Sequence, residues 1–204
     1  PWFEAPGRRT AGATLIIGWT RRFPERLYPG TLEDQTSEET VVSAIGEPVL
    51  DLLSPRTWRK AAHRIIAFGP AVAVLQWWHP MHAPVIRSLA RRLRVHGIHV
   101  TLICHNVEPH ESNAAWRRLT RRALRSVDSI VVHSSHLAPV ARRRAPRVPS
   151  TTSFLPIFDN VARAGGEATA DEIQDLRERV GATSDQPIVL TFGYIRPYKG
   201  VEDA

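Results

Sequence analysis

The 204-residue chain carries 27 Lys and Arg against 20 Asp and Glu, a formal charge of +7, with 43 % hydrophobic and 23 % charged residues. That balance excludes disordered, collagenous and low-complexity classes, and a chain of this length buries roughly 70 % of its unfolded surface without help from disulfides or metal. The single cysteine, Cys104, excludes a disulfide framework and a multi-cysteine zinc site. No apolar run reaches the ~18 residues of a membrane span and no signal-peptide core opens the chain, so the expected location is the cytoplasm.

Arginine outnumbers lysine 25 to 2. The charge is concentrated: Arg87 to Arg147 holds 13 arginines against Glu108, Glu111 and Asp128, a net of +10 over 61 residues, which leaves −3 for the remainder. A basic surface confined to one central segment points to an anionic partner, whether a phosphate-bearing ligand, a lipid headgroup layer or a nucleic acid.

In chain order, Ala13–Trp19 is a short β-branched apolar run and reads as a buried strand. Arg21–Gly30 is a loop broken by Pro24, Pro29 and Gly30, and Thr31–Thr40 is polar, acidic and also loop. Ser54-Pro55 opens a helix, since Ser suits the N-cap and Pro the first helical position; Trp58, Ala61, Ala62, Ile65 and Ile66 follow at helical spacing. Ala71–Trp78 is a second strand, Pro84–Arg94 a helix and Ile98–Cys104 a third strand. Asn113–Val127 is a helix with Trp116, Leu119, Ala123 and Val127 inward and Arg117, Arg118, Arg121, Arg122 and Arg125 outward. Ser129–Val132 is a fourth strand, His136–Arg144 a short basic helix and Ser153–Ile157 a fifth strand.

Alternating strands and helices with short connections predict an α/β fold, a Rossmann-like parallel sheet with helices on both faces. Residues 1–158 form this first domain and 159–170 a small-residue, Gly-containing linker. Residues 171–204 begin a second α/β unit. Its helix, Thr169–Val180, stops at Gly181, and a strand at Pro187–Phe192 leads into Gly193–Gly200. The aperiodic start and the unfinished second unit suggest a chain truncated at both ends.

In open parallel sheets ligands bind beyond the carboxyl ends of the strands. Three polar clusters fall there: Trp77–His82, His105–Glu111 and Gly193–Gly200. In the last, Gly193 and Gly200 let backbone approach a ligand, and Arg196 and Lys199 bring cations to a helix start; the alternative is a surface turn with solvated charges. It matches neither the Walker A nor the G-x-G-x-x-G pattern. His105 at a strand end can meet a hydroxyl or act as a base near neutral pH, and otherwise caps a nearby carbonyl. His79 and His82 lack a neighbouring carboxylate or cysteine, so no metal is expected. Trp77 and Trp78 alternate, so at least one points into the core. The arginine stripe is a solvated face or a surface for anionic membrane, at ~1 kcal/mol per basic residue. Nucleic acid is disfavoured, because no recognised binding motif accompanies the charge.

Together these segments resemble retaining glycosyltransferases of family 4, with their two-Rossmann-domain B-type fold. The residues that carry the resemblance are RRFPERLYPG (Arg21–Gly30), QWWHP (Gln76–Pro80), ICHNVEPHE (Ile103–Glu111), LTRRALRSVDSIVVHSS (Leu119–Ser135) and FGYIRPYKG (Phe192–Gly200), which follow the family's order. The resemblance implies transfer of a sugar from a nucleotide-sugar donor to a glycan or lipid-linked acceptor with retention of anomeric configuration, at the inner membrane face as a peripheral protein. It implies no cofactor beyond the nucleotide-sugar substrate. It implies His105 as the catalytic residue, Gly193, Arg196 and Lys199 on the donor phosphates, and His79, Trp78, Asn106 and Glu111 on the acceptor side. Where many members have an arginine after the loop glycine, this chain has Tyr194. The family's first strand with its Gly-rich loop is expected before Ala13, and its E-x7-E motif beyond Ala204. Residues 1–204 alone are therefore expected to be inactive. The alternative is a non-catalytic Rossmann-like module that binds anionic membrane or nucleic acid. A nicotinamide-dependent enzyme ranks last, lacking its glycine fingerprint.

Overall fold

In the computed structural model the described residues are 14–24, 46–108, 113–155 and 168–189, and they form parallel sheets and helices in a Rossmann-like α/β arrangement. The chain divides into two compact units, Pro1–Ile157 and Phe158–Ala204.

The first unit opens with β1 (Ile17–Arg21), parallel to β2 (Glu47–Asp51). β1 lies later than the apolar run predicts. It continues through polar Thr20 and Arg21, because Thr20 Oγ1 donates to the Leu50 carbonyl at 3.0 Å and Arg21 pairs with Asp51 at 2.7 Å. β2 has no sequence-level forecast. Its Pro48 weakens the strand signal, and Pro is tolerated here because, among the described residues, β2 pairs on one side alone.

Helix α1 (Pro55–Phe68) begins after Ser54 as expected, although the Ser54 side chain makes no capping bond. Instead its carbonyl accepts from Thr57, through the backbone N–H at 3.0 Å and Oγ1 at 2.7 Å. Gly69 ends the helix at φ 68°, a left-handed conformation glycine adopts without Cβ strain. Ala61 and Ala62 are fully buried, and α1 packs on β2 and α2.

The main sheet is β3 (Val72–Trp77), β4 (His99–Cys104), β5 (Ser129–Val132) and β6 (Ser150–Thr152), all parallel and in that order. Helices α2 (Ala83–Val95), α3 (Ala114–Leu124) and α4 (Leu137–Arg144) connect them in turn. Each expected helix is present within a few residues. The strand expected at Ser153–Ile157 lies earlier, at Ser150–Thr152; Ser153–Leu155 are irregular, and residues 156 and 157 lie outside the described residues. β5 ends at Val132, so its ladder closes with Thr152 opposite it and the Ser153 N–H on the Val132 carbonyl at 2.9 Å.

Alternation along the strands sets the core. Ala73, Leu75, Trp77, Val100, Leu102, Cys104, Ile130 and Val132 are buried together with Leu89 and Leu93 of α2 and Leu124 of α3. The intervening positions are more open: Val72 and Val74 are 49 % and 40 % exposed. On α3, Ala123 is buried and Val127 beyond its end is nearly so, as the spacing predicts, with Thr120 and Leu124 buried beside them.

In the second unit, α5 (Ala170–Val180) starts with a capping box. Thr169 Oγ1 accepts from the Glu172 N–H at 3.3 Å, and Glu172 accepts from the Thr169 N–H at 2.7 Å. Gly181 closes it at φ 69°. Pro187–Val189 are irregular where a strand is predicted to begin. The remainder of that strand, the Gly193–Gly200 loop, Thr31–Thr40, most of Arg21–Gly30 and most of the linker lie outside the described residues. No helix among the described residues is long and apolar enough to cross a membrane.

Candidate functional site

Three adjacent parallel strands each end one residue before an aromatic or imidazole ring: Trp78 after β3, His105 after β4 and His133 after β5. The register explains why these rings meet. Gln76 pairs with Ile103 and Ile103 with Val131, so these positions share one face of the sheet. The residues two further on return to that face because strand side chains alternate. The rings of Trp78 and His105 stack with centroids 3.7 Å apart at 11°, and the His105 and His133 centroids are 4.9 Å apart. Trp78 is 43 % exposed, whereas Trp77 is fully buried, so alternation assigns one tryptophan to the site and the other to the core. The Arg22 guanidinium, just past β1, lies 5.8 Å from the Trp78 ring centroid.

His105, His133 and His79 each have one ring nitrogen assigned by a protein partner. His105 Nε2–H donates to Gln76 Oε1 at 2.6 Å. His133 Nδ1–H donates to the Ser153 carbonyl at 3.0 Å. His79 Nδ1 accepts from the Met81 N–H at 3.2 Å, which leaves the proton on Nε2. At His105 such a bond decides which nitrogen faces a ligand, whereas His133 is buried and its Nε2 has no accessible surface. The His105 backbone is fixed as well, its N–H donating to the Trp77 carbonyl at 3.2 Å. Burial is the main reason the His105 pKa falls to about 4, and the nearby His133 and Arg22 lower it further. His105 is therefore a neutral ring at neutral pH. It is a weak base there, because a general base works best with a pKa near the operating pH.

His79 sits at the start of the turn Pro80–His82, with its ring edge-on to Trp116 of α3 at 5.2 Å, and burial lowers its pKa. His82 is a core residue and not part of the open site. It is fully buried, 5.2 Å from both the Trp19 and Phe23 ring centroids, and its Nε2–H donates to the Arg22 carbonyl at 3.2 Å. That bond ties the segment after β1 to the turn before α2.

Of the residues singled out from sequence, His105, Trp78 and His79 stand at the carboxyl ends of β3 and β4, and Asn106 is exposed beside His105. Glu108, two residues on, makes an ion pair with Arg144 at the end of α4 and anchors this loop. Glu111, Gly193, Arg196 and Lys199 lie outside the described residues. Sequence reasoning missed Gln76, His133 and Arg22. The first two were findable as the positions that share the His105 face in a parallel ladder. Arg117, Arg118, Arg121, Arg122 and Arg125 are exposed on α3 and just past its end.

A surface groove of about 910 Å³ lies at the other end of the sheet, by the amino ends of β4 and β5, lined by Arg87, Arg91, Arg94, Ser126 and Asp128. Arg94 is already paired with Asp128 at 2.8 Å. The groove is far from the histidine row along the strands and belongs to the basic surface. Among the described residues no cluster of three or more His, Cys, Asp or Glu could hold a metal ion. No protein-family model matches the chain, and no curated protein or solved structure matches it.

Proposed function

We propose that the chain is the acceptor-facing part of a retaining glycosyltransferase that moves a sugar from a nucleotide-sugar to a glycan or lipid-linked acceptor. The observation that carries this reading is the row Trp78–His105–His133 at the carboxyl ends of three adjacent parallel strands, where open α/β sheets bind ligands. A half-exposed indole beside a neutral imidazole suits a sugar. The exposed part of the indole offers apolar surface, and the imidazole accepts a bond from a hydroxyl. His105, neutral and weakly basic, orients the sugar or acceptor hydroxyl in this reading rather than removing its proton.

Cleaving a glycosyl phosphate bond builds negative charge on the departing nucleotide diphosphate. In this reading Arg196 and Lys199 face that charge, and the loss of one preorganised partner costs ~3 kcal/mol. The test is transfer of label from a panel of nucleotide-sugars to a glycan and lipid extract by the protein as its source makes it. The expected result is a labelled product of retained configuration and a loss of at least ~100-fold in rate for Lys199→Ala. Absence of transfer from every donor, or a near-normal rate in the variant, contradicts the reading.

A second reading is favoured by the exposed arginines of α3: a non-catalytic module for an anionic membrane or nucleic acid. Binding to DNA that falls steeply with salt and ignores nucleotide-sugar supports it. Binding to anionic vesicles at the cytoplasmic membrane face fits either reading, with the transfer assay separating them.

A further inference from the structure

We propose that Gln76 is a positioning residue of this site: by accepting the Nε2–H of His105 it holds that ring in one neutral tautomer, with Nδ1 as the acceptor for a ligand hydroxyl. The proposal rests on the sugar-facing reading of the cluster.

The geometry begins with the ladder. Gln76 and Trp78 leave β3 on the same face, Trp77 on the other. His105 leaves the end of β4 on the Gln76 side, and so meets both residues at once. Trp78 fixes the plane of the imidazole through a stack at 3.7 Å. Gln76 fixes its rotation within that plane through the 2.6 Å bond. Two constraints in different directions leave the ring one orientation.

The chemistry of the bond then divides the two nitrogens. An amide oxygen accepts only, so the proton of the neutral ring resides on Nε2. Nδ1 keeps a lone pair and has no hydrogen-bond partner among the described residues. A carboxylate at position 76 would instead stabilise the doubly protonated ring, and an anionic ligand would then be preferred. Glutamine excludes that charge while keeping the same reach. The charged and titratable groups around the ring act in the same direction, since Arg22 and His133 both disfavour a second proton. A ring held neutral in this way discriminates for a donor hydroxyl at Nδ1 and against a phosphate or carboxylate oxygen, with which a bare lone pair makes no hydrogen bond.

The test is long-range proton–nitrogen correlation NMR on the whole protein labelled with ¹⁵N-histidine, near neutral pH. Wild type is expected to show a single Nε2–H tautomer for His105. Gln76→Leu is expected to show both tautomers in exchange. Gln76→Glu is expected to keep the acceptor and the Nε2–H assignment while raising the His105 protonation constant by roughly tenfold or more. A loss of packing alone would not produce that opposite pair of responses. Methyl glycosides of glucose, mannose and galactose, added to wild type, are expected to shift Nδ1 more than Nε2.

An Nδ1–H tautomer in wild type, or a tautomer unchanged in Gln76→Leu, overturns the proposal. A fixed Nε2–H tautomer whose Nδ1 stays unmoved by every glycoside overturns the sugar-facing reading on which it rests.

Discussion

Trp78 and His105, each one residue beyond its strand, lie face to face with ring centroids 3.7 Å apart and planes 11° from parallel. The contact shields one side of the imidazole from water, and burial is the largest cause of its low pKa. Removing the indole therefore makes the charged ring less costly. Trp78→Leu is expected to raise the His105 pKa from about 4 towards the ordinary 6.5, by roughly one unit. Titration of the His105 ring protons by NMR reads this directly, and an unchanged or lower midpoint removes the indole as the shield.

His82 gives the fold an acid sensitivity of predictable sign. Burial lowers its pKa from 6.5 to about 4, and its bond to the Arg22 carbonyl only partly offsets that. Above pH 6.5 the ring is neutral folded and unfolded, and no penalty applies. As pH falls from 6.5 towards 4 the unfolded chain gains a proton that the folded one does not, so stability is lost through that window. The loss is on the order of 3 kcal/mol by pH 4 for this ring. His105 adds to it in the same direction. Urea unfolding at pH 7 and pH 4.5 is expected to show the drop, and His82→Leu is expected to flatten it. Equal stability at both pH values in wild type contradicts the burial of His82.

Cys104 occupies the last position of β4 with no exposed surface, and burial pushes its thiol well above the ordinary range. Thiolate is the reactive form. Iodoacetamide is expected to leave Cys104 unmodified in the native protein and to alkylate it once the protein is unfolded in urea. Rapid modification under native conditions would place Cys104 outside the core.

Arg118, Arg121 and Arg122 are exposed on α3 while Ala123 and Leu124 of the same helix are buried. A membrane contact on this face gains ~1 kcal/mol per basic residue near an anionic surface. Changing the three arginines to Gln is expected to weaken binding to phosphatidylserine-containing vesicles by roughly 100-fold or more, without moving the urea midpoint. Vesicle binding that survives the triple change excludes this face as the membrane contact.

Periodicity and end signals in the sequence suffice to place the helices. Pro55 marks the start of α1 and Asn113 the cap of α3, where its side chain accepts from the Trp116 N–H at 2.8 Å. Besides β1, which lies a few residues later than its apolar run, the sequence reading misplaces β6 and misses β2, and both are short and carried by pairing rather than composition. β6 is Ser-Thr-Thr, held by β5, and β2 contains Pro48. The candidate site was half legible for a related reason. His105 and Trp78 stand out as strand-end residues, but the partnership of Gln76 and His133 with them depends on which residues lie side by side across β3, β4 and β5. That register is a tertiary property, set by the burial of Trp77, Leu102 and Ile130 on the opposite face.

The most direct measurement is a titration of ¹⁵N-histidine- and ¹⁵N-tryptophan-labelled protein with glycosides and glycans, followed at the side-chain nitrogens of His105, Trp78 and His133. Saturable, concerted shifts of all three by at least one sugar, with His96 and His136 unmoved, are the expected result. Saturation in which these three stay fixed, or no shift with any sugar, contradicts the assignment of the strand-end row as the sugar site.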